Sequence, residues 1–561
     1  MSYKVSPENE KLRQEIREFA EMEIAPISFQ LDERAIFPED IVKQMGEKGW
    51  MGLPFEKKYG GREMGNEAYA IAVEEFSRVD ASVGVILSAH NSLGTWPIAA
   101  FGTEAQKEKY LVPLAKGEKL AAFGLTEENA GSDAGGTETT AVLDGDHYIL
   151  NGHKIFITNA PEADIYVVFA ATDKEKGTHG GISAFIVEKG MEGFDFGTRY
   201  NKMGIRASAT AELVFKNCKV PKENLLGEIG QGFKIAMQTL DGGRIGIAAQ
   251  ALGIAQGAYE QALERAQDRV QFGKPIAAQQ GVSFKLADMA TKIRAARFLV
   301  YSAAEMKDAH ENYGMQSAMA KLYASEVALE VVDEAVQIFG GSGFIKGLPV
   351  ERFYRDAKIT AIYEGTNEIQ RVVIASHLMP RKKKDKAEKK ASKAAAPTTE
   401  RKMEIFDEGS AQDRVDALVK ALKAEGYDRQ SVDDIFGPIG KADRLVAFGM
   451  GLKHAQDRKM MEDLAEAFGA VLSCSRPISE QREWMDLTRY VGLSGQKFGG
   501  KFYIGAGISG QKQHMYGIKD TDIIIAINED INQPIFAESD YGIVGDMYEI
   551  VPLLTEALKN L

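Results

Sequence analysis

Two cysteines in 561 residues, Cys218 and Cys474, are too few for an iron–sulfur cluster or a four-cysteine zinc site, and they argue against a disulfide framework. Redox chemistry in this chain then falls to an organic cofactor. Long apolar runs are also missing: Ile165 to Ala171 and Ile523 to Ile527 are among the longest, far below the roughly 20 residues that span a bilayer. The amino terminus, MSYKVSPENEKLRQEI, carries early acids and has neither an apolar signal core nor an Arg/Ser-rich transit pattern, so a cytoplasmic location without membrane insertion is expected. Positive charge is in deficit, with 68 basic against 81 acidic residues and a formal charge of −13, which disfavours nucleic acid as a general partner. What remains is ordinary core material, 44% hydrophobic and 27% charged, which excludes disordered and collagen-like chains. The length predicts about three to five domains.

The local exception in charge is Arg381 to Lys402, with eight Lys and two Arg against three acids. Polar, charge-rich chain extends and does not fold, so residues 380–402 read as a basic flexible linker between two bodies. A docking segment for an acidic partner is the other reading. Before it, periodicity changes twice. Residues 1–120 have helical spacing (Leu12, Ile16, Phe19; Tyr69, Ala72, Val73, Phe76). Residues 121–228 have short β-rich runs (Tyr148 to Leu150, Ile155 to Thr158, Ile165 to Ala171, Ser183 to Val187, Glu212 to Phe215) between Asp-Gly, Asn-Gly and Gly-Gly turns. Residues 229–379 return to long helical stretches: Ile245 to Gln267, Phe284 to Lys307 and Gln316 to Phe339. Residues 403–561 alternate helix-like Ala411 to Ala424 and Asp457 to Phe468 with strand-like Arg444 to Phe448, Ala470 to Ser473, Phe502 to Gly505 and Asp522 to Ile527. That alternation predicts a parallel α/β sheet with ligands at the carboxyl ends of its strands.

Four segments of the first body invite chemistry. In Tyr363 to Arg371 (YEGTNEIQR), Glu364 follows the apolar Ile359 to Ile362, so burial would raise its pKa toward that of a useful base. Gly365 beside it lets backbone approach a ligand. A plain helix start with Thr366 as N-cap explains the spacing equally well. Phe123 to Asp133 is a hydroxyl-bearing, glycine-punctuated loop suited to a planar polar ring, or merely structural. Arg269 to Ile276 with Gln279 and Gln280 offers a cation and amides for a pyrophosphate. Gln337 to Gly343 reads by itself as a helix C-cap.

Together, in this order and with Phe156 to Asn159, Met203 to Ser208 and Asp241 to Arg244, these segments resemble the acyl-CoA dehydrogenase family over about residues 5 to 379. The resemblance implies an all-α N-terminal domain, a β-barrel-like middle domain and a four-helix-bundle domain, binding FAD in a homotetramer or dimer of dimers whose cofactor site borrows residues from a neighbour. It implies Glu364 as the base that takes the α-proton of a CoA thioester, with its backbone N–H and an FAD hydroxyl on the thioester oxygen. Phe123, Leu125, Thr126, Gly131, Phe156 and Thr158 would surround the flavin ring, with Ser132 where flavin and substrate meet. Arg269, Gln271, Phe272, Gln280, Gln337, Phe339, Gly340, Gly341, Thr366 and Glu368 would hold the rest of FAD. Asp241 and Arg244 match the CoA side, and Gly365 joins Glu364 against substrate. Some relatives carry the base at the position of Gly243; a glycine there leaves Glu364 alone in that role. The Met203 to Ser208 and Ile362 to Arg371 segments are most similar to short-chain or butyryl-CoA members.

In the second body, Gly505 to His514, Ala526 to Asp530, Pro534 to Phe536 and Asp540 to Asp546 form a strand, glycine turn and helix, which sets N–H groups on a phosphate. Residues about 437 to 559 resemble the α/β FAD-binding domain of the electron-transfer flavoprotein alpha subunit. That resemblance implies a second FAD held by Ser475, Arg476, Val491, Gly492, Ser494, Gly495, Gly507, Ser509, Gln513, His514, Asn528 and Asp540, with Arg476 over the ring and His514 near its pyrimidine end. Met450 stands where the family has arginine and Leu493 where it has glutamine. The whole then reads as a short-chain acyl-CoA dehydrogenase, or the reverse enoyl-CoA reductase, with a fused electron carrier serving electron-transfer flavoprotein or another external acceptor. The rivals are a dehydrogenase whose last domain is a non-redox docking module, and an oxygen-reactive acyl-CoA oxidase. No metal is expected.

Overall fold

The computed structural model describes residues 4–379, 401–493 and 495–561; the expected linker up to residue 400, and Ser494, lie outside the described residues. The chain divides into two compact units, Met1–Lys382 and Lys383–Leu561.

The first unit opens with helices from Pro7–Phe19 to Val112–Ala115. A sheet follows, made of β1 (Ala121–Gly124), β2 (Thr140–Asp144), β3 (His147–Thr158), β4 (Ile165–Ala171), β5 (Ile182–Glu188), β6 (Phe194–Arg199), β7 (Thr210–Pro221) and β8 (Leu225–Leu226). Its order is β6-β7-β3-β2-β4-β5-β8, with β1 parallel to β4. The two runs expected at Tyr148 to Leu150 and Ile155 to Thr158 are one strand, β3. They looked separate because Gly152 (φ +152°) interrupts the apolar alternation where the pairing with β7 shifts register. A Cβ on Gly152 would lie 2.3 Å from Thr139 Oγ1, so that bend needs glycine.

The helices Gly232–Asp268, Gln280–Asp308 and Gly314–Phe339 form the bundle, completed by Pro349–Thr360 and Asn367–Leu378. Gly232–Asp268 presses close to Gly65–Val79, since a Cβ on Gly253 would sit 2.2 Å from the Glu74 carbonyl oxygen and one on Gly257 2.1 Å from that of Arg78. Glu74 and Glu75, both buried, are met by Arg297 at 2.7 Å and by Arg13 and Arg17 at 2.9 Å, tying the first helix to the bundle. Between Gly232–Asp268 and Gln280–Asp308, β9 (Val270–Gln271) and β10 (Lys274–Pro275) make an exposed hairpin.

The second unit is built on β11 (Glu404–Phe406), β12 (Arg444–Phe448), β13 (Val471–Cys474), β14 (Phe502–Ala506), β15 (Ile523–Asn528) and β16 (Tyr541–Val544), all parallel, in the order β11-β16-β15-β14-β12-β13. Helices Ala411–Ala424, Arg458–Phe468, Lys512–Ile518 and Met547–Lys559 pack on it. Burial on both faces explains why β12, β14 and β15 read as near-continuous apolar runs. Arg401 anchors the start of the unit: its guanidinium donates to Asp540 Oδ2 at 2.7 Å and to the Asp522 carbonyl at 3.1 Å, at the amino ends of β16 and β15. Among the described residues no helix is long and apolar enough to cross a membrane, and no cluster of side chains suits a metal ion.

Candidate active site and cofactor cavity

Glu364 stands on the turn between Pro349–Thr360 and Asn367–Leu378, with φ +55° at Glu364 and +84° at Gly365. The helix-start reading of this segment holds too, because Thr366 Oγ1 accepts from the Ile369 N–H at 3.3 Å. One carboxylate oxygen, Oε2, is buried without a hydrogen-bond partner. Burial pushes the Glu364 pKa up to about 7, against the pull of Arg244 and Lys321. A Cβ on Gly243 would lie 2.4 Å from Oε2, so glycine leaves the space that the carboxylate fills.

The helix Gly232–Asp268 shapes the space around the base. Arg244, buried, donates to Asp241 Oδ1 at 2.5 Å and leaves its Nε free of partners. Asp241, Trp96, Lys307 and Tyr313 line a cleft of about 470 Å³. Lys307 lies 5.2 Å from the Trp96 ring, and burial lowers its ammonium to about 8. Sequence reasoning missed it, since a lysine near a helix end signals only a solvated charge. One turn from Gly243, Tyr69 and Ser88 cover Gly246, where a Cβ would come within 2.1 Å of the Tyr69 hydroxyl. One turn further, Gln250 is fully buried, accepts from the Tyr363 hydroxyl and donates to the Ala81 carbonyl at 2.9 Å.

The sheet supplies a second face. Thr126 is drawn to β3 by the Ile155 N–H on its carbonyl at 2.9 Å, and Phe156 beside it is 59% exposed at φ +59°. Leu125 is buried, while Phe123 and Thr158 are half-buried and Gly131 and Ser132 exposed. An exposed aromatic, packed on Tyr200, with the half-buried Thr126 and Thr158 on adjoining segments suits a planar, polar ring such as flavin. Underneath, Lys154 is buried with Glu127 at 2.5 Å and also donates to the Leu125 carbonyl. Glu127 in turn accepts from the backbone N–H groups of Glu138 and Thr139, so the pair fixes the whole 125–139 loop. Lys154→Met is expected to destabilise the first unit by about 3–5 kcal/mol, because Glu127 would stay buried without its cation; a thermal midpoint unchanged from the parent would refute this.

The remaining residues expected around the first FAD stand on other elements of the first unit. Arg269, Gln271 and Phe272 lie on the exposed hairpin, with Phe272 93% exposed, and Gln280 opens the next helix. Gln337, Phe339, Gly340 and Gly341 end Gly314–Phe339, and a Cβ on either glycine would meet open space. Glu368 is exposed on the first turn after Thr366.

In the second unit the carboxyl ends of the strands enclose a cavity of about 780 Å³. Ser475, Arg476, Val491, Gly492, Gly507, Ser509, Gln513, His514 and Asn528 all line it. Ser475 Oγ and His514 Nδ1 are buried there without hydrogen-bond partners, two polar atoms that a ligand could engage. The Tyr503 hydroxyl holds the other ring nitrogen of His514 at 2.7 Å, and burial lowers the imidazole to about 4, so it is neutral. Gly449 and Gly507 meet backbone to backbone, with room for no Cβ: one on Gly449 would reach 2.3 Å from the Gly507 oxygen. Such a glycine floor with unpaired donors and acceptors fits a dinucleotide. Arg476 is exposed and pairs with Glu480 at 2.7 Å. One expectation is corrected. Asp540 lies at the opposite, amino end of the strands, committed to Arg401 and the Ile524 N–H. Gly495 packs beside Tyr490, itself a residue of the lining. Ser494 lies outside the described residues. The lining also includes Gln511, Asp530 and Asp546, which carried no separate signal in the sequence.

Comparison with known proteins agrees with this geometry. The acyl-CoA dehydrogenase N-terminal, middle and C-terminal domain models match residues 6–118, 122–218 and 230–379. The electron transfer flavoprotein FAD-binding domain model matches 438–519. The chain is 55% identical over 378 residues to the short-chain specific acyl-CoA dehydrogenase of Clostridium acetobutylicum, covering 67% of this chain and all of that one. The butyryl-CoA dehydrogenase structure from Megasphaera elsdenii superposes with a TM-score of 0.67 at 52% identity, over 68% of this chain and all of that one. A chain from a structural study of the electron transferring flavoprotein of Acidaminococcus fermentans and flavin-based electron bifurcation gives 0.67 at 54% identity, with the same coverage. With a carboxylate walled off beside Gly243 and a glycine-floored cavity at the strand ends, the chain belongs to the acyl-CoA dehydrogenase family and continues into an electron transfer flavoprotein FAD-binding domain.

Proposed function

We propose that the chain interconverts a short-chain acyl-CoA such as butyryl-CoA and its α,β-unsaturated counterpart, and that its last domain passes the electrons on from a second FAD to electron-transfer flavoprotein or another external acceptor. The observation that carries the first part is the buried, unpartnered Oε2 of Glu364, opposite Gly243. FAD, when bound, accepts the β-hydrogen as hydride. Glu364 takes the α-proton, and its raised pKa makes it a stronger base than a solvated carboxylate. Thr126, Phe156 and Thr158 present the face for the ring, and Asp241, Arg244 and Lys307 stand on the CoA side. Phe272 stands exposed on its hairpin and open space surrounds Gly340 and Gly341, which leaves both segments free to meet the cofactor of another copy, as a homotetramer or dimer of dimers would require. The unpaired Ser475 and His514 atoms support a ligand in the second cavity, with Arg476 at its edge.

We read short-chain preference from Gln250, two turns beyond Gly243 and held by Tyr363 and Ala81, where it would limit the depth of an acyl pocket beside the base. Anaerobic addition of butyryl-CoA is expected to bleach bound flavin in the parent enzyme. Gln250→Ala is expected to raise the hexanoyl-to-butyryl ratio of kcat/KM by about tenfold or more, the worth of one or two accommodated methylenes. No bleaching by any acyl-CoA of two to eight or so carbons would sink the substrate reading; an unchanged ratio would remove Gln250 from the pocket floor.

A further inference from the structure

Glu364 and Gly365 are consecutive residues in the left-handed region. Glycine tolerates it, whereas glutamate is held there against its preference. Several groups keep the turn in place. Gln370 Nε2 donates to the carbonyls of Glu364 at 3.0 Å and Gly365 at 2.8 Å. Lys321, from the helix Gly314–Phe339, donates to the Gly365 carbonyl at 2.9 Å and to Asn367 Oδ1 at 3.0 Å, an atom that also accepts from Ser325. Lys321 is fully buried. Its two acceptors are neutral, and Gln370 shows that an amide can make the same kind of bond, so a buried ammonium here calls for a further reason.

That reason is the carboxylate next door. We propose that Lys321 is a positioning residue of the dehydrogenase, whose ammonium clamps the left-handed turn by the Gly365 carbonyl and, from the same place, keeps the Glu364 base ionised. The other groups facing Glu364 are Arg244 of the helix Gly232–Asp268, already engaged with Asp241, and the hydroxyls of Tyr69 and Tyr363; Glu368 faces Lys321 from the exposed side. Burial drives Glu364 toward its neutral form, and the positive charges of Arg244 and Lys321 oppose it. Burial likewise lowers Lys321 to about 8, and Glu364 is the first charge opposing that. Near neutral pH each therefore favours the charged form of the other. Removing the ammonium leaves Glu364 with a higher pKa, protonated over more of the working range and unable to take a proton.

This rests on Glu364 being the base, and the test separates the two. The pH dependence of kcat with butyryl-CoA is measured in the flavin-loaded enzyme, together with exchange of the substrate α-hydrogens into deuterated water. Lys321→Met is expected to move the acid limb of kcat up by about one pH unit. Its kcat near neutral pH should fall about 10- to 100-fold through the loosened turn, with KM within about threefold and α-exchange falling in step. Lys321→Gln keeps a donor for the Gly365 carbonyl without the charge: the limb shifts as in the methionine variant, while the plateau rate largely recovers. Lys321→Arg returns the limb toward its parental position. A parental acid limb in the folded, flavin-loaded glutamine variant overturns the proposal, even if the methionine variant does not fold. Undiminished α-exchange in Glu364→Gln instead overturns the assignment of the base.

Discussion

Glu364→Gln is expected to lower turnover of butyryl-CoA by about 1,000-fold or more while the chain keeps its fold and its flavin. Glutamine is nearly isosteric and can occupy the space opposite Gly243, where a Cβ would lie 2.4 Å from Oε2. It cannot accept a proton. The buried Oε2 has no hydrogen-bond partner to lose, so the substitution breaks no existing bond at that atom. In the parent enzyme the same carboxylate sets the pH dependence. Its pKa is raised from 4.5 to about 7, so the base is protonated below that and kcat should climb as pH rises through it. Rates flat from mildly acid to alkaline pH would mean that another group takes the proton.

Gly507→Ala is expected to reduce bound FAD from two per chain to one, leaving butyryl-CoA oxidation with an artificial acceptor intact. Gly507 sits at φ +62° on the floor of the second cavity, and a Cβ there would lie 2.8 Å from Met547 Sδ and 2.9 Å from the Gly451 Cα. The Met547 side chain can turn aside, but the Gly451 backbone cannot withdraw without opening the turn that lines the site. Strain of about 3 kcal/mol corresponds to more than a 100-fold loss of affinity. One FAD per chain in the parent protein would sink the second-flavin reading and favour a docking role for the last domain.

Most of this architecture was legible because period and residue type agree. Ala411–Ala424 and Arg444–Phe448 coincide with the sequence expectation residue for residue, since an amphipathic repeat and an apolar run each end at a clear boundary. The helix Gly232–Asp268 starts well before the expected Ile245, because its glycines, chosen for close packing, imitate a turn. Strands β6 and β11 gave little signal: β6 is mostly exposed and β11 is three residues long. In the site, Glu364 and the glycine turns were readable because their chemistry is local. Lys321, Gln250, Lys154 and Lys307 were not, as each acts through a partner distant in sequence, and a lone lysine or glutamine in a helix looks like surface until its burial is known. Asp540 failed for a related reason, its ion pair with Arg401 lying across the unit from the cavity.

That ion pair has a consequence for how the second unit is presented. All six strands point the same way, the cavity opens where they end, and Arg401 secures the incoming chain where β15 and β16 begin. Within the unit, the anchored start of the chain and the cavity therefore lie at opposite ends of the sheet, so the residues that secure the one are not those that line the other.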